Sequence, residues 1–306
     1  MAKIKIYTET DKVFGSLVCM TNGIIELKVT VDFGPRAIHF SRVGMENMFY
    51  QDAAKGSLGD KFEIYEGDIH RLYGGHRLWI SPEEMPRCYH PDNNPVAWKE
   101  IDGGLEFTAP VEKHTQLQKI MRFEMDEATP YVKVDHTIVN MGVWDVEFAI
   151  WSLTMLDKGG KAVMPQNERD TGLLPNRNFT FWPYCRMNDK RVYFGDKFIT
   201  LTQDDKAVFP FKLGYNNESG WACYFNKKQA FVKFFEPQID APYPDGGCTY
   251  ESFTNDVMVE SESLSELALV GPNEALTHTE EWELYEASDV PSNDEAEIAK
   301  ILEKFM

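Results

Sequence analysis

Between Tyr73 and Glu84 the chain reads YGGHRLWISPEE, which brings a glycine pair, an imidazole, a guanidinium, an indole and two carboxylates close together. Gly74 and Gly75 let backbone approach a ligand closely. His76 can give or take a proton near neutral pH. Arg77 offers a fork of donors to ring hydroxyls, and Trp79 presents a flat face for stacking. The same residues also fit a bulged strand with a satisfied histidine and an arginine ion pair. A second group with chemical promise is VMVESESL, Val257 to Leu264. On a strand, residues two apart share a face at roughly 6 to 7 Å, so Glu260 and Glu262 would enter one cleft together with Met258 and Leu264. Two carboxylates that close push one pKa upward, which suits a proton shuttle. The alternative is an edge strand with solvated glutamates.

Composition limits the partners. A formal charge of -18, from 49 acidic and 31 basic residues, repels phosphate backbones and anionic lipid, so neither nucleic acid nor membrane is expected as a partner. With 43% hydrophobic residues the chain can bury a core without disulfides or metals. Aromatics at 13% suit strands, and sugars stack on exposed rings. Cys19, Cys88, Cys185, Cys223 and Cys248 are scattered and odd in number, which indicates neither a disulfide framework nor a zinc knuckle. His70, His76 and His90 lie near Glu66, Asp68, Glu83 and Glu84, but no helical pair of ligands appears, and no metal is expected. No G-x-G-x-x-G, P-loop, G-x-S-x-G or H-E-x-x-H occurs, so no cofactor is expected either. The N-terminal Met-Ala-Lys-Ile-Lys-Ile-Tyr lacks the apolar run of a signal peptide, and no stretch is long and apolar enough to span a bilayer. A cytoplasmic location is expected, where the sequons at Asn178 and Asn217 carry no meaning.

Strands must position these groups, because β-branched and aromatic runs recur between Gly, Pro, Asn and Asp clusters. Strands are predicted at Ile24 to Val31, Tyr131 to Val139, Val146 to Leu156, Phe198 to Thr202, Gly220 to Phe225, Ala230 to Phe235, Leu267 to Val270 and Leu276 to Tyr285. In the second, Val132, Val134, His136 and Ile138 share one face. The third, VEFAIWSLTML, is apolar on nearly both faces and should be central and covered on both sides. Gly271-Pro272-Asn273 should turn the last two strands into a hairpin. Residues 50 to 60 and 157 to 190 read as long loops. Ser292 or Asn293 can cap a final helix from Asp294 to Phe305, whose Ile298, Ile301, Leu302 and Phe305 form an apolar stripe. The expectation is an all-β chain: one large antiparallel β-sandwich domain over residues 1–288, with a short C-terminal helix at 289–306 docked on it.

The order of motifs resembles the galactose-mutarotase-like, or aldose 1-epimerase-like, superfamily. The likeness begins at Asn22-Gly23-Ile24-Ile25-Glu26-Leu27 and Phe33-Gly34-Pro35-Arg36-Ala37-Ile38. It continues through Gly74 to Trp79, Asn140 with its following strand, and Phe211-Lys212-Leu213-Gly214 with Gly220-Trp221. It closes at Ser265 to Glu274, SELALVGPNE, so about residues 20 to 286 are covered. The resemblance implies a β-supersandwich and interconversion of sugar anomers. A base removes the anomeric hydroxyl proton while an acid protonates the ring oxygen. It further implies His76, Glu260 and Glu262 as catalytic groups, with Glu260 nearest the superfamily's late-strand glutamate and Glu251 as a lesser candidate. Arg36, Arg77, Trp79, Lys212 and His70 are implied as substrate contacts. One departure stands out: Trp151 or Ser152 occupies the place of the usual second histidine. His70, His76 or Lys212 must then supply the proton, or the fold serves another sugar reaction, or it only binds. Lys212, aimed into the cleft, would suit an acidic or phosphorylated sugar. Three readings follow: an anomer-interconverting enzyme on a monosaccharide, a non-catalytic sugar binder, and a different carbohydrate enzyme of lyase type.

Overall fold

The computed structural model describes residues 4–56, 62–287 and 290–305. Among these residues the strands assemble into an 11-stranded and a 10-stranded sheet, paired antiparallel throughout. The first sheet runs from Lys5–Asp11 through His76–Ser81, Val146–Asp157, Met258–Leu264, Tyr250–Thr254 and Phe211–Tyr215 to Phe179–Phe181. In the second, Gln229–Phe235, Ala275–Glu286 and Tyr131–Asn140 are central. No helix among the described residues is long and apolar enough to cross a membrane.

The two sheets meet face to face because their alternating apolar residues must leave water. Phe40 of the first sheet and Phe231 and Trp282 of the second interlock with Phe49, their ring centroids 5.7–5.9 Å apart. Burying each such side chain stabilises the fold by about 1.5–3 kcal/mol. The strand Tyr131–Asn140 buries every second residue from Val132 to Asn140, as its alternation predicts. Val146–Asp157 is buried continuously from Phe148 to Leu156 between His76–Ser81 and Met258–Leu264. Its central, doubly covered position matches its sequence.

Several local expectations are corrected. The residues Ala268–Val270 pair with Val146–Phe148, not with Ala275–Glu286, so Gly271-Pro272-Asn273 leads from one sheet to the other and makes no hairpin. The supposed loop at 157 to 190 contains the strands Lys161–Pro165 and Phe179–Phe181. Of the loop at 50 to 60, residues 57 to 60 lie outside the described residues. The helix is Glu295–Leu302, and Asp294 caps it by accepting from the Ala296 and Glu297 amides. Ile298, Leu302 and Phe305 pack on Val163, Phe225 and Val232 of the second sheet.

A buried polar layer crosses the sandwich. Glu280 accepts from Lys233 at 2.8 Å, Ser263 at 2.6 Å and Trp282 at 2.7 Å. His136 Nδ1 faces the His278 carbonyl at 3.0 Å and must donate to it. His136 Nε2 therefore accepts from His76 Nε2 at 2.6 Å, and His76 Nδ1 accepts from the Thr154 hydroxyl at 2.8 Å. Lys233, Glu280, His76 and His136 are all fully buried. A buried charge stripped of its partner is strongly destabilising. Lys233→Met is therefore expected to lower unfolding free energy by about 3–5 kcal/mol, and Lys233→Met with Glu280→Gln to recover most of that loss. The midpoint of urea denaturation at constant slope checks both.

Candidate functional site

The outer face of the first sheet, turned away from the second, carries a cleft of about 320 Å³. Strand alternation decides which side chains reach it. In His76–Ser81, Arg77 and Trp79 point outward, whereas His76 points inward to His136 and Trp282. Register aligns Trp79 with Trp151, Met155 with Glu260, and Glu262 with Glu251. Loops supply the remaining wall through Glu83, Tyr89 and Tyr184.

At the floor, Lys212 Nζ lies 2.7 Å from Glu251 and 2.9 Å from Glu262. Trp151 Nε1 donates to the same Glu262 oxygen at 2.8 Å. The ammonium sits between two indoles, 4.7 Å from the ring centroid of Trp151 and 4.6 Å from that of Trp182, in cation–π geometry. Gly214 makes this possible. A Cβ there would lie 2.6 Å from Cys248 Sγ and 3.2 Å from Glu251 Cγ, crowding the carboxyl that meets Lys212. Burial alone would lower the lysine pKa, but Glu251, Glu262 and Glu260 more than reverse this and hold it well above its ordinary value. Lys212 is thus a permanent cation with its charge already met.

Glu260 differs from its neighbours. Its carboxyl lines the cleft and makes no side-chain hydrogen bond among the described residues. Burial, then the Glu262 charge, raises its pKa to about 8, against the opposing pull of Lys212 and Arg77. Burial likewise lifts Glu251 to about 8, with Lys212 pulling down and Glu262 pushing up. This cluster therefore holds protons near neutral pH and can exchange them with a ligand.

The other residues singled out in the sequence separate in space. Arg77 stacks over Trp79, its guanidinium carbon 3.8 Å from the ring centroid, and Trp79 packs edgewise on Trp151 at 5.0 Å. His70 stands behind Arg77, whose Nη1 donates to His70 Nε2 at 3.3 Å. Burial and then Arg77 depress the His70 pKa to about 2, so the ring is neutral and acts as an acceptor. Arg36 is ion-paired with Asp92 and borders a separate cavity of about 40 Å³. The expectation that His76 shares the cleft is corrected: parity along the strand turns it into the inter-sheet layer, where both ring nitrogens are engaged. Lys212 reaches the cleft as expected, but its two glutamates satisfy the charge proposed for an acidic sugar. Trp182 and Tyr184 were not foreseen. They lie outside any strand, so no periodicity points to them.

His76, His136 and Glu280 bring three potential metal-ligand atoms within 4.8 Å of one another. Their lone pairs are engaged by Thr154, by one another, and by Lys233, Ser263 and Trp282. A hydrogen-bonded layer accounts for this grouping more simply than an ion would.

Stability should report the raised carboxyl. Between its ordinary pKa of 4.5 and about 8, the unfolded chain releases the Glu260 proton while the folded chain keeps it. Glu260 therefore makes the native state lose stability as pH rises through that window. Glu260→Gln cannot ionise and is expected to flatten this loss, measured by urea melts over a pH series. An unchanged slope would show that Glu260 titrates normally.

No protein-family model and no curated protein matches the sequence. Solved structures match over nearly its full length. A candidate aldose 1-epimerase from Klebsiella pneumoniae superposes with a TM-score of 0.61 at 10% identity, covering 98% of this chain and 86% of that one. A galactose mutarotase-like protein from Clostridium acetobutylicum gives 0.52 at 10% identity, covering 93% and 99%. A TPR-domain containing protein from Parabacteroides distasonis gives 0.58 at 13% identity, covering 94% of this chain and 51% of that one. At such identities the likeness establishes fold: the chain is a β-sandwich of the galactose-mutarotase-like type, as its motif order implies.

Proposed function

We propose that the chain is a carbohydrate-active protein that interconverts the anomers of a monosaccharide in this cleft, with Glu260 as its proton-transfer group. The observation that carries the reading is the Glu260 carboxyl: it faces the cleft without a hydrogen-bond partner among the described residues, and its pKa of about 8 lies near neutrality. Trp79 and Trp151 offer apolar walls on which a pyranose can rest. Ionised Glu260 takes the proton from the anomeric hydroxyl, and the bond between the anomeric carbon and the ring oxygen breaks. As that oxygen departs beside Lys212 it takes up the proton that Glu260 has just removed, so Glu260 acts as base and then as acid. Rotation and closure in reverse complete the exchange and return the proton, so no net charge is consumed. Glu262, expected to be catalytic, is occupied by Lys212 and Trp151 and serves in this scheme to hold the lysine. Glu251 holds it from the other side.

A purely binding role is the second reading. One observation favours it: among the described residues no imidazole lines the cleft, since His76 faces inward and His70 stands behind Arg77. Anomer exchange measured by saturation-transfer NMR over a panel of aldoses separates the two. The enzyme reading expects accelerated exchange that increases as pH approaches about 8, because only the ionised carboxyl acts as base. Glu260→Gln should lower the rate by about 10²–10⁴-fold. Tight binding without acceleration for every sugar would leave the binding role alone.

A further inference from the structure

The charges in the cleft select among sugars, an argument that rests on the cleft being the sugar site. Among the described residues, Glu83, Lys212 and Glu260 are the charged groups that line it. Lys212 is the single cation of the three, and Glu251 and Glu262 already meet its charge. Among the described lining residues, the charged groups left to a ligand are the carboxyls of Glu83 and Glu260. Glu260 lines the cleft and its carboxyl makes no side-chain hydrogen bond among the described residues. It is an acceptor in a largely buried place, where an unmet acceptor is costly. Trp79, Tyr89, Trp151, Tyr184 and Phe253 form much of the remaining wall, and aromatic faces attract cations. Rings of this kind suit an organic ammonium better than a hydrated divalent ion, which asks for a shell of oxygen ligands.

We infer that the sugar taken in this cleft carries a free ammonium group, as a 2-amino-2-deoxyhexose does, and that Glu83 and Glu260 receive its charge. A uronate or sugar phosphate would bring a second anion to Glu83 and Glu260, and Lys212, the one cation among the described lining residues, is already ion-paired. The raised pKa of Glu260 fits this reading: Glu83 is among the groups that push it up, and a bound ammonium would offset that repulsion. Amino-sugar binding therefore releases a proton from Glu260 and leaves it ionised as the base.

The test uses the full chain with glucosamine, galactosamine and mannosamine, their neutral parents, their N-acetyl derivatives and glucuronate. Calorimetric titration reads affinity and saturation-transfer NMR reads anomer exchange. At least one hexosamine should bind about tenfold or more tighter than its parent and its N-acetyl form, with the advantage shrinking in high salt. Glu83→Gln should reduce that ratio. Glu83 is solvent-exposed and accepts a hydrogen bond from the Tyr89 hydroxyl, which the glutamine amide oxygen can still accept, so the replacement keeps the wall in place. Equal affinity for charged and N-acetylated forms, tighter binding of glucuronate, or no binding of any sugar overturns the inference. Preferential binding of a hexosamine without exchange sinks the epimerase reading and leaves charge selection standing. Exchange accelerated equally for all the sugars does the opposite.

Discussion

In the strand Val146–Asp157 every residue from Phe148 to Leu156 is buried, although successive side chains point in opposite directions. Ser152 and Thr154 face the layer between the sheets, while Trp151, Leu153 and Met155 face the cleft. A slip of one residue would exchange the two sets, driving indole into a layer built for hydroxyl and imidazole. Both neighbouring strands are locked to this register, which aligns Trp79 with Trp151 and Glu260 with Met155. The cleft exists because one strand is specified on both faces at once.

Two buried lysines sit on either side of this sheet, and their surroundings contrast. Lys233 has one carboxylate, Glu280, whose other contacts are the donors Ser263 and Trp282. That arrangement is neutral and closed, as a structural ion pair in a core must be. Lys212 has two carboxylates at contact distance and a third, Glu260, acting on it from nearby. Burial first, and then repulsion from neighbouring carboxylates, raises the Glu251 and Glu260 pKa values against the pull of Lys212. A protein has no folding reason to bury unbalanced carboxyls, so the imbalance points to a ligand.

Much of this architecture is legible in the residues. The alternation of Tyr131 to Asn140 and the unbroken apolar run in Val146 to Leu156 read directly as a half-covered and a fully covered strand. Glu260 and Glu262 read as partners on one face, and the structure places both outward. Parity is harder to read. GGHRLW states that His76 and Arg77 face opposite ways, but which of them meets the cleft depends on where the second sheet lies. That is a long-range fact settled by Phe231 and Trp282. Trp151 reads as a missing histidine, whereas its indole nitrogen holds Glu262. The Gly271-Pro272-Asn273 turn has hairpin chemistry, yet Ala268–Val270 finds a better partner in Val146–Phe148. Local turn signals yield there to sheet closure.

The ladder from Arg77 through Trp79 and Trp151 to Lys212 and Trp182 places three of the seven tryptophans around one cleft. Indole emission responds to charge held close to the ring, and here two cations lie within 5 Å of ring centroids. A ligand that displaces water from these rings, or draws a proton from Glu260, alters the field in which they emit. The same aromatic wall that would hold a ligand thus gives the chain an intrinsic optical signal of occupancy.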